Sequence, residues 1–307
     1  MNRRQAAVLA LASLSLAVLA CDTSSGPGPD TAATVNALNI FVAETLTAKA
    51  NLTATAPELT PTPLAGPAPQ DTQPASPSEL PAEASPAVSQ APARPNGDVV
   101  HAAAAATSPQ IDGDLSDWPA LPYQGTLPTY KPEAWGGTQD NSFNFGLQWD
   151  ANYLYVAAAV VDDVHVQTQH NEMIYKGDSL ELLFDADLQG DFDVAHLDAD
   201  DYQLGLSPGA LNGDSPEAWL WFPASQSGAA NNVKLAAKPD GQGYRLEAAI
   251  PWALFNVSPA GGSRFGFVIS SSDDDSPDTA QQKSMVSNVG TRKLLDPTSW
   301  GTLALDP

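Results

Sequence analysis

Beyond residue 108 the hydrophobic positions recur at every second residue. Phe143, Phe145, Leu147 and Trp149 lie two apart, and Leu180, Leu182 and Phe184 share a face from which Glu181 points away. A two-residue period puts side chains on alternate faces of a pleated strand. The nearly continuous apolar run over residues 153–161 suits a strand covered on both faces. Further strands are expected over 218–222, 244–250, 264–270 and 301–305. Turns are expected at Trp149-Asp150-Ala151-Asn152 and Pro239-Asp240-Gly241-Gln242-Gly243, where Asp, Asn and Gly supply turn chemistry. No long 3.6-residue period interrupts the series. The pattern predicts an all-β domain over residues 109–307, an antiparallel β-sandwich of jelly-roll type.

Ahead of residue 109 that pattern disappears. Residues 22–108 hold one aromatic residue, Phe41, and residues 57–95 hold eleven prolines, whereas all seven tryptophans and seven tyrosines lie beyond residue 108. Such a segment has too little apolar surface for a core and reads as a disordered Pro/Ala/Thr-rich linker over 21–108. Leu38, Phe41, Val42 and Leu46 have helical spacing and predict one local helix within 34–50. The first residues run Asn2-Arg3-Arg4, then an apolar stretch over 6–20 ending Val18-Leu19-Ala20-Cys21. This resembles a bacterial lipoprotein signal, which implies a signal peptide over 1–20 and a lipidated Cys21. The protein would then be held at the extracytoplasmic face of a membrane, at the cell surface or in the periplasm, through the lipid anchor alone. Cys21 is the single cysteine, so no intrachain disulfide can staple the domain.

The formal charge is −23, from 36 acidic and 13 basic residues. A chain so acidic lacks the basic surface that displaces counterions from phosphates, which excludes nucleic acid as a partner. It favours hard divalent cations instead. The densest acidic run, Asp185, Asp187, Asp191 and Asp193 around Gly190, followed by Asp198, Asp200 and Asp201, predicts a structural Ca²⁺ site. A second run, Asp273-Asp274-Asp275 with Asp278, reads as a solvated loop, with a further cation site as the alternative. His101 falls in the linker. His165, His170 and His196 are scattered and read as solvent-facing loop residues. No H-E-x-x-H, C-x-x-C or phosphate-loop pattern is present, so no enzyme is expected.

Several stretches occur in an order that resembles the family 9 carbohydrate-binding module, a sandwich related to DOMON domains. They are Ile111-Asp112-Gly113-Asp114 with Trp118, Trp149 to Val156 ending in Asp162-Asp163, Lys176 to Asp185, Tyr244 to Trp252, Gly266-Phe267 and Trp300-Gly301-Thr302-Leu303. The resemblance implies noncovalent binding of a polysaccharide or oligosaccharide, structural calcium, and a non-catalytic role beside polysaccharide-degrading enzymes. It places Tyr175 at a sugar-clamping aromatic position and Glu181 at the hydroxyl-binding carboxylate. Gly205 stands where the family has an arginine, and Leu294 where it has a second tryptophan. Asp200 and Asp201 match its acidic pair. A sugar needs an aromatic platform and planar polar groups. Trp135, ahead of Gly136-Gly137, is a further candidate platform, as are Tyr130 and His170. Trp219 and Trp221 share one side of their strand and read as core or aromatic edge, while Trp149, Trp252 and Trp300 read as core. The alternatives are a structural or protein-interaction module without sugar affinity, a glycoside hydrolase, and a haem domain using Met173 or Met285.

Overall fold

The computed structural model describes residues 92–213 and 215–307. The signal peptide, Cys21, the 34–50 helix and most of the linker lie outside the described residues. Fourteen strands form one curled, mixed sheet. They are β1 (Val100–Ala104), β2 (Tyr123–Gly125), β3 (Leu127–Tyr130), β4 (Asn141–Trp149), β5 (Tyr153–Asp162), β6 (Ser179–Asp185), β7 (Asp201–Ser207), β8 (Glu217–Phe222), β9 (Gly228–Ala229), β10 (Lys234–Pro239), β11 (Gly243–Pro251), β12 (Arg264–Asp273), β13 (Ser284–Ser287) and β14 (Gly301–Leu305). The order is β10-β11-β5-β4-β1-β14-β12-β6-β7-β8-β9, with β2 on β4 and with β13 bridging β12 and β3. The described helices are short 3₁₀ turns, and none is long and apolar enough to cross a membrane.

The two-residue period decides the layers. Leu180, Leu182 and Phe184 of β6 face inward beside Leu204 and Leu206 of β7 and Phe267 and Ile269 of β12. The same cluster contains Phe143, Phe145, Leu154, Val156, Leu246 and Ile250 from β4, β5 and β11. One core shared by both arms of the sheet means that the sheet folds over onto itself as a sandwich. Phe184 stacks on Phe255 with ring centroids 4.2 Å apart and lies 6.4 Å from Trp252. Trp252 and Trp300 are buried, and Trp149 packs partly buried against the core.

Two smaller clusters cover the outer faces. Trp118, Tyr155, Ala157 and Ala249 pack under the segment that carries Ile111. There Glu247 of β11, fully buried, accepts hydrogen bonds from Trp118 Nε1 at 2.7 Å, Gly113 N at 2.6 Å and Asp112 N at 3.1 Å. The Ile-Asp-Gly-Asp stretch is therefore clasped to the sheet by a carboxylate 134 residues away. On the other arm, Leu183, Val268, Val289 and Trp300 bury the outer face beneath the 288–300 loop.

Two expectations change. The fold is all-β, but β1 runs parallel to both β4 and β14, so the sheet is not wholly antiparallel. A parallel neighbour needs a long crossover rather than a hairpin, and β1 enters from the preceding segment with no hairpin to fix its direction. The folded part also begins before residue 109. Val100 and Ala102 are buried in the core, and His101, expected in the linker, sits in β1 with Nδ1 2.7 Å from Asp306. Arg94 is buried too. The Ala-rich composition of 102–106 hides the strand, because alanine carries little β signal.

Candidate functional site

The outer face of β12, β6, β7 and β8 carries a row set by register: Ser270, Glu181, Gly205 and Trp219 stand side by side on successive strands. Glu181 is almost fully buried. Gln203, two residues from Gly205 on the same face, donates Nε2 to Glu181 Oε2 at 2.8 Å. Arg292 donates Nη2 to Glu181 Oε1. The guanidinium comes from the 288–300 loop, which is pinned where Trp300 Nε1 donates to the Lys293 carbonyl at 2.8 Å. Ser270 Oγ is buried with no hydrogen-bond partner.

Aromatic rings flank this polar row. Trp221 is buried, donates Nε1 to the Glu172 carbonyl at 2.9 Å, and meets Tyr175 edge-on at 6.2 Å between centroids. Tyr175 is carried on the 3₁₀ turn Asn171–Lys176. A Cβ at Gly205 would lie 2.4 Å from Trp221 and 2.8 Å from Ile174. The absence of an arginine at Gly205 is thus a packing requirement: Trp221 occupies its space. The positive charge reaches Glu181 from Arg292 instead. Leu294 is partly buried against Leu183, Val268, Val289 and Trp300, so it offers no aromatic wall there.

Trp135 does not join this face. It packs partly buried against the inner core and donates Nε1 to the Asn141 carbonyl at 2.9 Å, which makes it part of the interior's rim. Tyr130 stands in β3 with Lys131 Nζ 5.1 Å from its ring, and His170 Nδ1 lies 2.7 Å from Glu217 Oε1. His165 is not a solvated loop residue: its ring is held between Asp162 at 3.3 Å and Asp178 at 3.2 Å. Burial opposes its charge, yet those carboxylates push its pKa up to about 10.

At one end of β6 the expected acidic cluster assembles. Asp185 and Asp201 are direct register partners on β6 and β7. Oxygens of Asp185, Asp191 and Asp200 lie within 4.8 Å of one another, as do those of Asp191, Asp198 and Asp201. Asp187 and Asp193 stay outside these groups and are exposed; Asp187 Oδ1 instead accepts from Gly190 N at 3.0 Å and closes the turn. Asp198 enters because it follows a second turn, where its Oδ1 accepts from Asp200 N. Both oxygens of Asp191, with Asp200 Oδ2 and Asp201 Oδ1, are buried without a partner. Burial first, and then neighbouring carboxylates, raise Asp191 to about 6 and Asp200 to about 7. Burial likewise raises Asp201 to about 9, with Asp185, Asp198 and Asp191 adding to it. Among these carboxylates Arg94 Nη1 binds Asp185 Oδ2 at 2.7 Å, passing over Gly266, whose absent Cβ would stand 2.5 Å from it. Hard oxygens converging in this number, unpartnered and buried, fit a calcium ion.

Gln203, Arg292 and Arg94 carry this geometry without a local signal of their own. Arg94 lies among prolines and Arg292 in a loop, and only the scarcity of basic residues in so acidic a chain draws attention to either.

A family model for the carbohydrate family 9 binding domain-like proteins matches residues 111–307. No curated protein sequence matches the chain. Among solved structures, a family 9 carbohydrate binding module from Caldicellulosiruptor kristjanssonii in complex with cellotriose is 23% identical with a TM-score of 0.51, covering 68% of this chain and 94% of that one. A second structure of a family 9 module from that organism, in complex with glucose, is 24% identical with a TM-score of 0.50, covering 67% of this chain and 95% of the other. With the fold, the motif order and a match over most of the folded residues, the chain belongs to the carbohydrate family 9 binding domain-like family.

Proposed function

We propose that the chain is a surface lipoprotein that captures a glucose-containing oligosaccharide or polysaccharide on the outer face around Glu181. The family is a non-catalytic, carbohydrate-binding one, and the chain is a binding module rather than an enzyme. The observation that carries the reading is the fan of Glu181, Gln203 and Arg292 beside the rings of Tyr175 and Trp219. A carboxylate fixed by two planar donors presents oriented polar groups for vicinal hydroxyls, and an aromatic edge takes the apolar sugar face. The sugars held by the two Caldicellulosiruptor modules set the first ligands to try. Lipidation of Cys21 after the 1–20 signal would hold the module at the membrane, the linker giving it reach toward extracellular or cell-wall glycans and the enzymes that degrade them. Calcium at Asp185, Asp191, Asp198, Asp200 and Asp201 would stabilise the end of β6 and β7.

Packing of Leu294 into the outer cluster supports a second reading, a structural module without sugar affinity, because one aromatic wall is absent. Titration calorimetry with glucose, cellotriose and a panel of other oligosaccharides separates the two. Sugar binding predicts saturable heat that weakens at least tenfold in Tyr175→Ala, with the melting curve kept. Silence across the panel would leave the structural module standing.

A further inference from the structure

The outer row around Glu181 holds polar groups that the fold itself leaves unused. Both oxygens of Glu181 are engaged, by Gln203 Nε2 and by Arg292 Nη2. On one side of it stands Ser270, 0% exposed, whose Oγ has no hydrogen-bond partner. On the other side, past Gly205, stands Trp219, whose Nε1 is shielded from solvent and also without a partner. A third such atom is Arg292 Nε, in the guanidinium that binds Glu181.

These three atoms differ from the orphaned carboxylate oxygens of the Asp185 cluster, which call for positive charge. Two are N–H donors and one is a hydroxyl, which both gives and accepts. Buried polar groups without partners are costly, and neutral hydroxyl groups match this set: they accept from an N–H and exchange with a serine. The strands do not need the Ser270 hydroxyl. Ser287, its neighbour on β13, turns its own Oγ to the Ile269 carbonyl at 3.3 Å.

Spacing sets the size of a ligand that satisfies them together. Ser270, Glu181, Gly205 and Trp219 are register partners on β12, β6, β7 and β8. Three strand spacings separate the ends of this row by about 14 Å, longer than one hexose ring. Between Glu181 and Trp219 the floor is apolar, because the Trp221 ring fills the place of a Gly205 side chain. Beyond Trp219 the row passes to Ala229 of β9, which is exposed, and no atom lies within 4 Å of the place of a Gly228 Cβ. Beyond Ser270 it passes to Ser287, which is fully buried. The row is thus closed at its β12 end and open at the β9 edge of the sheet.

We propose that the sugar site is a row of subsites running across the strands from Ser270 to Trp219, so that its ligand is an oligosaccharide rather than a single sugar, with Trp219 and Ser270 as specificity-determining residues. The inference rests on the sugar-binding reading of the Glu181 face. One ring lies over Glu181, its hydroxyls meeting Ser270 Oγ and Arg292 Nε. The next lies toward β8, where the partly exposed Trp219 ring supplies an apolar face and its Nε1 a donor. Trp219 then provides the aromatic contact that Leu294, packed into the outer cluster, does not. A longer chain continues off the open β9 edge.

The test is titration calorimetry of the full-length chain with glucose and with cellotriose. Cellotriose should bind at least about tenfold more tightly than glucose, the worth of one further hydrogen bond and ring contact. Trp219→Ala should remove that advantage and leave the glucose affinity as it was. Trp219→Phe keeps a ring and loses Nε1, so it should remove part of the advantage, and it serves if the alanine variant does not fold. Ser270→Ala should weaken both sugars alike, by up to about tenfold. It should not lower the melting temperature, because Ser270 Oγ holds no bond in the fold. Equal affinities for the two sugars in the native chain, or a cellotriose advantage untouched in both Trp219 variants, overturn the row of subsites and leave the sugar-binding reading standing. Silence with both sugars removes that reading, and this inference with it.

Discussion

Replacing Glu247 by alanine removes one carboxylate and orphans three donors at once: the Trp118 indole N–H and the backbone N–H groups of Asp112 and Gly113. Hydrogen bonds to a charged group contribute about 1.5–3 kcal/mol each. Against their sum stands the cost of burying the carboxylate, which shows in a Glu247 pKa raised by burial despite those same bonds. Breaking one side of a buried charged network costs about 3–5 kcal/mol, and Glu247→Ala is expected to fall there. With a urea m-value of about 2 kcal/mol/M for a domain of this size, the midpoint should drop by roughly 1.5–2.5 M. Glu247→Gln keeps one acceptor oxygen, loses the charge, and turns an N–H toward at least one donor, so its loss should be about half as large. Urea titration followed by tryptophan fluorescence reads both, and Trp118 itself should become solvent-exposed early in the alanine variant. A loss below about 1 kcal/mol for alanine, or a glutamine variant worse than alanine, would refute the claim that this carboxylate clasps the Ile111–Asp114 stretch to the sheet.

Two further outcomes follow from the acidic cluster and the early strand. Asp201, raised to about 9, keeps a proton in the ion-free native state that the unfolded chain releases near the ordinary carboxylate value. Stability from this group is therefore complete at low pH and lost as pH rises toward 9, with a slope of at most about 1.4 kcal/mol per pH unit. In EGTA, Asp201→Asn should show a shallower loss of stability between pH 7 and 8.5 than the native chain, and saturating calcium should flatten the native curve; identical slopes would refute it. A chain shortened to begin at Ile111 lacks β1 and Arg94, so the edges of β4 and β14 lie open and Asp185 loses its guanidinium. It should aggregate or melt well below a chain beginning at Pro92, whereas equal melting temperatures would show that the sheet closes without β1.

The two-residue period by itself determined the all-β class and most of the core strands. At Phe143, Leu182 and Phe267 burial follows from local alternation, and such patterns need no partner to be read. The same holds for the boundary tryptophans Trp252 and Trp300, and for the acidic chemistry of Asp185, Asp191, Asp200 and Asp201. Strands whose pairing is set by neighbours rather than by their own residues escaped it. β1 is mostly alanine, and β7 carries Asp201 and Gly205, which weaken any strand signal although Leu204 and Leu206 are core. The sites divide along the same line. Glu181 and Tyr175 stand in one recognisable stretch, but the residues that orient the carboxylate come from Gln203 and Arg292, 22 and 111 positions away. Trp135 was legible as an aromatic before a flexible turn, yet nothing local said that it would seal the interior at Asn141. Charge clusters show the limit most plainly. Asp273-Asp274-Asp275 reads as a solvated loop, yet Asp273 and Asp274 are buried where β12 ends. Whether a carboxylate is solvated or caged is decided by burial and by which donors reach it, and both depend on strands far apart in the chain.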